Sequence, residues 1–398
     1  MVANTKQGTA PWDGLFCLDQ SVTHLNHGSF GACPVAVLEE QSWLRGLMEQ
    51  NPVRFMEEDY HPRLAQTVSA LADFVGADSD EIALVPNATA GVNTILRSLR
   101  FEAGDEILMT DHTYNACGNA VRFVADRVGA RVVVVEIPFP IRNSSEVVER
   151  VMGAVTPATR LLLIDHITSP TGLILPVGEL VRELDTLGVD TLVDGAHAPG
   201  MIPLDLRELG AAYYTGNCHK WLCAPKGAAF LFVRADRQAG IRPLAISHGA
   251  NQVLDDTTRF RAEFDWTGTD DPTAFFCIPT AISHLSAFFR GGFPEIMRRN
   301  HSLVLKGRDM LCEHLEVEPP APDDMLGSLA AVPLSEPVDA YTDPDPLQLA
   351  LRNQWQIEVP VIPWSSPRGR FLRISAQLYN HEDDYKKLCD ALGAMGVR

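Results

Sequence analysis

The chain has 398 residues, 46% hydrophobic and 21% charged, a composition that excludes a fibrous repeat or long disorder and allows about two to four domains. Lys and Arg number 33 against 51 Asp and Glu, a formal net charge of -18, so neither nucleic acid nor a membrane surface is an expected partner. The opening MVANTKQGTAPWDG lacks the apolar core of a signal peptide, and no apolar run approaches the ~20 residues that span a bilayer.

In chain order, two amphipathic helices are predicted over 34–50 and 60–76, the first begun by Pro34. Apolar strands then alternate with helical stretches up to about 235. The strands are EIALV (81–85), EILMT (106–110), RVVVVEI (131–137), RLLLIDHI (160–167), DTLVD (190–194), AAYYTG (211–216) and AAFLFV (228–233). Several are continuous apolar runs, as expected of strands buried on both faces of a mostly parallel sheet. Beyond about 275 a long helix is predicted over 280–315. Short strands near 327–333, 356–361 and 370–376 follow, with helices near 345–353 and 382–395. The fold class is α/β: a mostly parallel seven-stranded sheet with helices on both faces, plus a smaller α+β C-terminal domain. The expected division is an N-terminal segment over 1–50 that packs on the small domain and the substrate side, a large domain over 51–275 and a small one over 276–398.

Ligands of open parallel sheets bind at the carboxyl ends of the strands. Polar or Gly-rich segments stand at five such ends: Asn87 to Gly91, Asp111 to Tyr114, Thr168 to Gly172, Asp194 to His197 and Asn217 to Lys220. Any one alone would pass for a solvated loop. Lysine is scarce, and Lys220 alone sits among His219, Trp221 and Asn217 at the end of a buried strand, where partial removal from water lowers the amine pKa and suits it to attack a carbonyl. Lys226, followed by Gly227 and the next strand, ranks second. Asp194 closes an apolar strand; a buried carboxylate needs a partner, and a protonated pyridine nitrogen is one, a helix or turn cap another. Thr89, Ala90 and Gly91 open a helix whose free N–H groups suit a phosphate. No G-x-G-x-x-G and no Walker lysine supports a dinucleotide or ATP. The eight cysteines are scattered without a C-x-x-C pair, which reads as reduced thiols of a cytoplasmic protein and supports no metal site.

Asn-Ala-Thr-Ala-Gly (87–91), Ser-Pro-Thr-Gly (169–172), Val-Asp-Gly-Ala-His (193–197) and His-Lys-Trp (219–221) resemble the fold type I pyridoxal 5'-phosphate (PLP) enzymes, and more narrowly the class-V aminotransferase superfamily. His-Leu-Asn-His-Gly-Ser-Phe-Gly (24–31) and Phe-Leu-Arg-Ile-Ser (371–375) resemble its isopenicillin N epimerase-like branch, which also holds carbon–sulfur lyases. The resemblance implies PLP as cofactor, an internal aldimine at Lys220 and a partner for the pyridine nitrogen in Asp194. It places His197 near the ring hydroxyl, the phosphate on Thr89, Ala90, Gly91 and His219, with Asn217 less firmly, and Ser169 among the cofactor contacts. The ring is covered from the 111–114 loop by His112 or Tyr114, preferably Tyr114. Thr269, in Trp266 to Asp270, reaches across a two-fold axis to the neighbour's phosphate and so implies a homodimer. Arg373 grips the α-carboxylate of an amino-acid substrate, with Asn26, His27 and Ser29 lining the substrate side.

From these parts the substrate amine displaces Lys220, whose freed amine removes the α-proton. Elimination of a β- or γ-substituent, often sulfur-linked, is the preferred outcome. Epimerisation is close behind, with His27 or Tyr114 as the group opposite Lys220. Transamination and a non-catalytic binding protein of the same fold are the alternatives. The stretch Val361 to Gly369 before Arg373 has no cysteine, which argues against a persulfide-forming desulfurase.

Overall fold

A computed structural model of the chain describes residues 14–252, 258–334, 342, 344–365 and 368–397. The expectations for 1–13, and for Ser366 and Pro367 in the stretch before Arg373, lie outside the described residues.

All seven expected strands of the large sheet form: β1 Ile82–Val85, β2 Glu106–Thr110, β3 Arg131–Val135, β4 Thr159–Asp165, β5 Asp190–Asp194, β6 Tyr213–Asn217 and β7 Ala229–Val233. Their order is β1-β7-β6-β5-β4-β2-β3, parallel except for β7, which runs antiparallel to both of its neighbours. The continuous apolar runs follow from burial on both faces. Leu161 and Leu163 of β4 join a core with Val92, Ile95 and Val121 of helices Ala88–Ser98 and Asn115–Val128. Leu162 and Ile164 point the other way, to a core with Leu71, Val147 and Leu180 of helices Tyr60–Val75, Ser145–Ala154 and Val177–Thr186. Each such fully buried side chain contributes about 1.5–3 kcal/mol. Edge strand β3 is the exception, with Arg131 and Val134 exposed.

The predicted 280–315 helix is two helices, Ile278–Ser286 and Phe293–His314. The break has a local cause: Gly292 takes φ 59, a left-handed conformation costly for other residues, and Pro294 enters the first turn of the second helix. Beyond it, β8 Leu329–Leu334, β9 Val361–Ser365 and β10 Arg368–Ser375 form an antiparallel sheet in the order β9-β10-β8. Helix Phe293–His314 packs on this sheet and on helix Glu382–Ala394; at Gly307 the two helices approach so closely that a Cβ would lie 2.6 Å from the Tyr385 ring. The segment after residue 14 joins this side of the molecule. Thr23 and His24 pair in parallel with Ile357 and Glu358, and the His27 N–H donates to Ser375 Oγ at 2.8 Å.

Candidate active site

The carboxyl ends of β4 and β5 carry two acids. Asp165 and Asp194 are register partners on adjacent strands and both are buried. Asp194 Oδ1 accepts the Ala196 N–H at 3.0 Å and Oδ2 accepts the Cys117 thiol at 3.1 Å. Asp165 Oδ1 receives the Tyr114 N–H at a long 3.4 Å, and its Oδ2 has no partner among the described residues. Burial, then the charge of Asp194, pushes the Asp165 carboxyl well above the usual range. Burial also raises Asp194, against the pull of its Cys117 and Ala196 hydrogen bonds and of Lys220. Asp165 was missed in the sequence although it ends an apolar strand just as Asp194 does. Nothing in the sequence marked Cys117.

Lys220 follows β6. Its Nζ lies 3.0 Å from His197 Nε2, and the Trp221 indole N–H donates to His197 Nδ1 at 3.3 Å. Burial first, then the positive charge of Arg373, lowers the Lys220 amine to about 8. Burial and Lys220 hold His197 well below its usual value, so the imidazole is neutral. Lys226 instead donates to the Gly31 carbonyl at 2.6 Å, tying down the N-terminal segment.

Arg373 on β10 is 3% exposed, and no carboxylate pairs with it among the described residues. It donates to Ser29 Oγ at 2.7 Å, to Asn26 Oδ1 at 3.3 Å and to the Ser169 carbonyl, while its Nε is buried without a partner. Burial lowers the guanidinium to about 10. Asn26 and Ser29, expected on the substrate side, and Ser169, expected among the cofactor contacts, thus all converge on Arg373.

The start of helix Ala88–Ser98 is occupied more than the sequence suggested. Asn87 Oδ1 caps the Ala90 N–H at 2.9 Å, the Gly91 N–H bonds the Asn87 carbonyl, and Asn217 Oδ1 accepts the Ala88 N–H at 2.9 Å. Thr89 is the residue of this turn whose N–H has no acceptor among the described residues. Gly91 is needed for packing, since a Cβ there would collide with Thr215 Oγ1 of β6. His219 stands beside Lys220 with a buried, unpartnered Nδ1, and burial lowers it to about 4.

Two expected roles are corrected by geometry. His112 is fully buried, with Nδ1 at 2.8 Å from Thr171 Oγ1, Nε2 at 3.1 Å from the Ile137 carbonyl and its ring 4.7 Å from Trp364, so it is packed away from the site. Tyr114, 46% exposed, keeps the ring of that loop free and lines a groove with Ser169 and Trp364. His27 is not on the substrate side: its Nε2 binds the Lys220 carbonyl at 3.0 Å and its Nδ1 the Tyr379 hydroxyl at 2.8 Å. Thr269 lies in an exposed stretch and lines a separate cavity of about 910 Å³ with Trp266, His61 and His248.

The family model described as aminotransferase class-V matches residues 50–388. The chain is 30% identical over 403 residues to a probable chloroplastic L-cysteine desulfhydrase of Arabidopsis thaliana, covering 95% of this chain and 83% of that one. It is 34% identical over 389 residues to the isopenicillin N epimerase of Amycolatopsis lactamdurans, covering 94% and 95%. Among solved structures, the cystine C–S lyase C-DES in complex with its reaction product cysteine persulfide superposes with a TM-score of 0.76 at 22% identity, over 94% of this chain and 97% of that one, a likeness of fold. The chain belongs to the aminotransferase class-V family.

Proposed function

We propose that the chain is a PLP-dependent lyase that removes the α-proton of an amino acid and expels a β- or γ-substituent, of the carbon–sulfur lyase type. The residues suit the cofactor. Asp194 is a buried carboxylate at a strand end, Lys220 a half-buried residue whose amine is held low, and the Thr89 N–H and His219 Nδ1 are polar groups without partners among the described residues. PLP supplies a sink for the electron pair left at Cα when its proton departs. When PLP is bound, Asp194 would keep the proton on the ring nitrogen, Thr89 and His219 would hold the phosphate, and the half-exposed Tyr114 would cover the ring. Arg373 takes the α-carboxylate with Ser29 and Asn26 steering its fork. Lys220, with an amine near 8, takes the α-proton at neutral pH.

The observation that carries this reading is the buried Arg373, which has no acidic partner among the described residues and whose charge acts on the Lys220 amine: a dry guanidinium needs an anion, and an α-carboxylate brings one next to the base. With His27 spent on the Lys220 carbonyl, one of the two candidate acids for epimerisation is removed and Tyr114 remains, so the preference for elimination rests on the L-cysteine desulfhydrases among the relatives. Epimerisation stands second because the isopenicillin N epimerases match end to end. The desulfhydrases among the relatives make sulfur-linked substrates the first to try. The test is incubation with thio-amino acids in deuterated solvent. Keto acid and ammonia released in equal amounts are expected; inversion at Cα with deuterium uptake and no keto acid would sink the lyase reading.

The exposed 267–271 stretch is read as the arm that carries Thr269 to a second copy, making the enzyme a homodimer. Among the described residues no helix is long and apolar enough to cross a membrane, and the described cysteines are free thiols. We place the enzyme in a reducing compartment, the cytoplasm first.

A further inference from the structure

Asp165 and Asp194 end neighbouring strands in register, both in the dry interior. Two buried carboxylates so placed repel each other, which disfavours charge on both at once. The location of a single charge matters, because only a charge on Asp194 balances a protonated ring nitrogen. We propose that Cys117 is the positioning residue that fixes the single charge of the Asp165–Asp194 pair on Asp194, an inference that rests on the PLP reading above.

The hydrogen bonds are unequal in the required sense. Asp194 receives the Cys117 S–H at 3.1 Å and the Ala196 N–H at 3.0 Å, one on each oxygen. Asp165 has the long Tyr114 N–H and the nearby Thr113 hydroxyl, while its Oδ2 is bare and free to carry the proton. The thiol stays a donor, because burial and then the Asp194 charge push it far above its usual range. The other titratable groups facing the pair are Tyr214 from β6, also raised by burial and by Asp194, and Lys220 from the following loop. Neither hydrogen-bonds to the pair, although the Lys220 charge also favours an ionised Asp194 and so works in the same sense as Cys117. Cys117 belongs to helix Asn115–Val128, directly after the Tyr114 loop, so the group that sets the charge is positioned by the same element that caps the site.

The test separates donor from packing. Cys117→Val loses the donor and adds about one methyl group, a packing change that the Asp165→Asn background controls for; Cys117→Ser keeps a donor. Each is made alone and with Asp165→Asn. PLP affinity and the pH titration of the visible band of the bound cofactor are read on each protein. Cys117→Val is expected to weaken PLP about tenfold and move the titration, as loss of a hydrogen bond to a buried charge does, with Cys117→Ser within about twofold of wild type. Asp165→Asn removes the rival carboxyl and recovers most of the Cys117→Val loss, a coupling that simple packing damage does not produce. A Cys117→Val protein with wild-type affinity and titration, a Cys117→Ser protein as impaired as the valine one, or a loss that Asp165→Asn leaves intact would each overturn the proposal. Wild-type protein that takes up no PLP at Lys220 overturns the functional reading, and this inference with it.

Discussion

His197 Nε2 lies 3.0 Å from Lys220 Nζ while the Trp221 indole N–H fills the other ring nitrogen. An indole can only donate, so His197 Nδ1 is the acceptor, and the neutral ring carries its hydrogen on Nε2. That hydrogen points at the lysine lone pair, a contact that favours the free amine. The rate at which apoprotein captures PLP should therefore rise as pH passes about 8, not near the ordinary lysine value of 10.5. Trp221→Phe frees Nδ1 to take the hydrogen and turns Nε2 into an acceptor for an ammonium. The capture profile should move to higher pH, with a rate at pH 7 lower by about three- to tenfold. An unchanged profile in the phenylalanine variant would remove Trp221 from this role.

The same lowered amine has a thermodynamic consequence. In the unfolded chain Lys220 titrates near its ordinary value, in the folded apoprotein near 8, so between these limits the unfolded state binds more protons and stability rises with pH. Below about 8 the penalty is present in full. Lys220→Met should therefore stabilise the apoprotein at pH 7, by up to about 3 kcal/mol, and the gain should fade as pH approaches 10. Urea unfolding of apoprotein and variant at the two pH values measures it; a gain that grows with pH has the wrong sign.

Arg373 predicts a split between its two conservative replacements. Its fork is held by Ser29, Asn26 and the Ser169 carbonyl, a planar arrangement that an ammonium cannot copy. Arg373→Lys should keep the charge yet lose much of the fit, raising KM about tenfold. Arg373→Gln should cost about 2–5 kcal/mol in kcat/KM, the usual price of truncating one partner of a buried pair. Amines that lack a carboxylate should react equally with all three proteins, which a competition assay would show.

How much of this was legible in the sequence differs from residue to residue. The seven strands were, because burial on both faces writes itself as unbroken apolar runs such as 161–164. Lys220, Asp194 and Arg373 stood out as candidates, because each lies at or in an apolar stretch with a charge that needs a reason. His27 was misread because a motif names a residue without its direction, and its ring turns to a carbonyl 193 positions away. Cys117 left no trace, since a buried helix cysteine looks the same whether it packs against a leucine or donates to a carboxylate. The Gly291–Gly292 break in the long helix was written in the chain but outweighed by the helical periodicity on both sides.

Gly91 offers a test of close approach. A methyl group there meets Thr215 Oγ1 and Cβ on β6, a rigid strand residue whose hydroxyl is already bonded to the Phe230 carbonyl. The helix Ala88–Ser98 would have to lift from the sheet. Gly91→Ala should cost about 1–3 kcal/mol of stability and weaken PLP retention together, read by urea unfolding and dialysis. Retained affinity with normal stability would show that the helix adjusts freely.

His27 gives the last prediction, because its geometry replaces one role with another. The Lys220 carbonyl can only accept, so His27 Nε2 carries the hydrogen and Nδ1 accepts from the Tyr379 hydroxyl. Burial holds the ring at about 3, so it is neutral over the whole working pH range and has no proton to exchange. Together with its N–H on Ser375 Oγ, the residue bolts the end of β10 to the lysine loop. His27→Gln should therefore lower stability by about 1–3 kcal/mol and slow turnover through misplacement of Lys220. It should leave unchanged the stereochemistry of solvent deuterium at Cα and the ratio of elimination to exchange. Tyr379→Phe, which removes one bond to the ring and keeps the other, should show a smaller loss of the same kind. If His27→Gln instead abolishes deuterium delivery to one face of Cα while stability is normal, the ring is the acid opposite Lys220 after all.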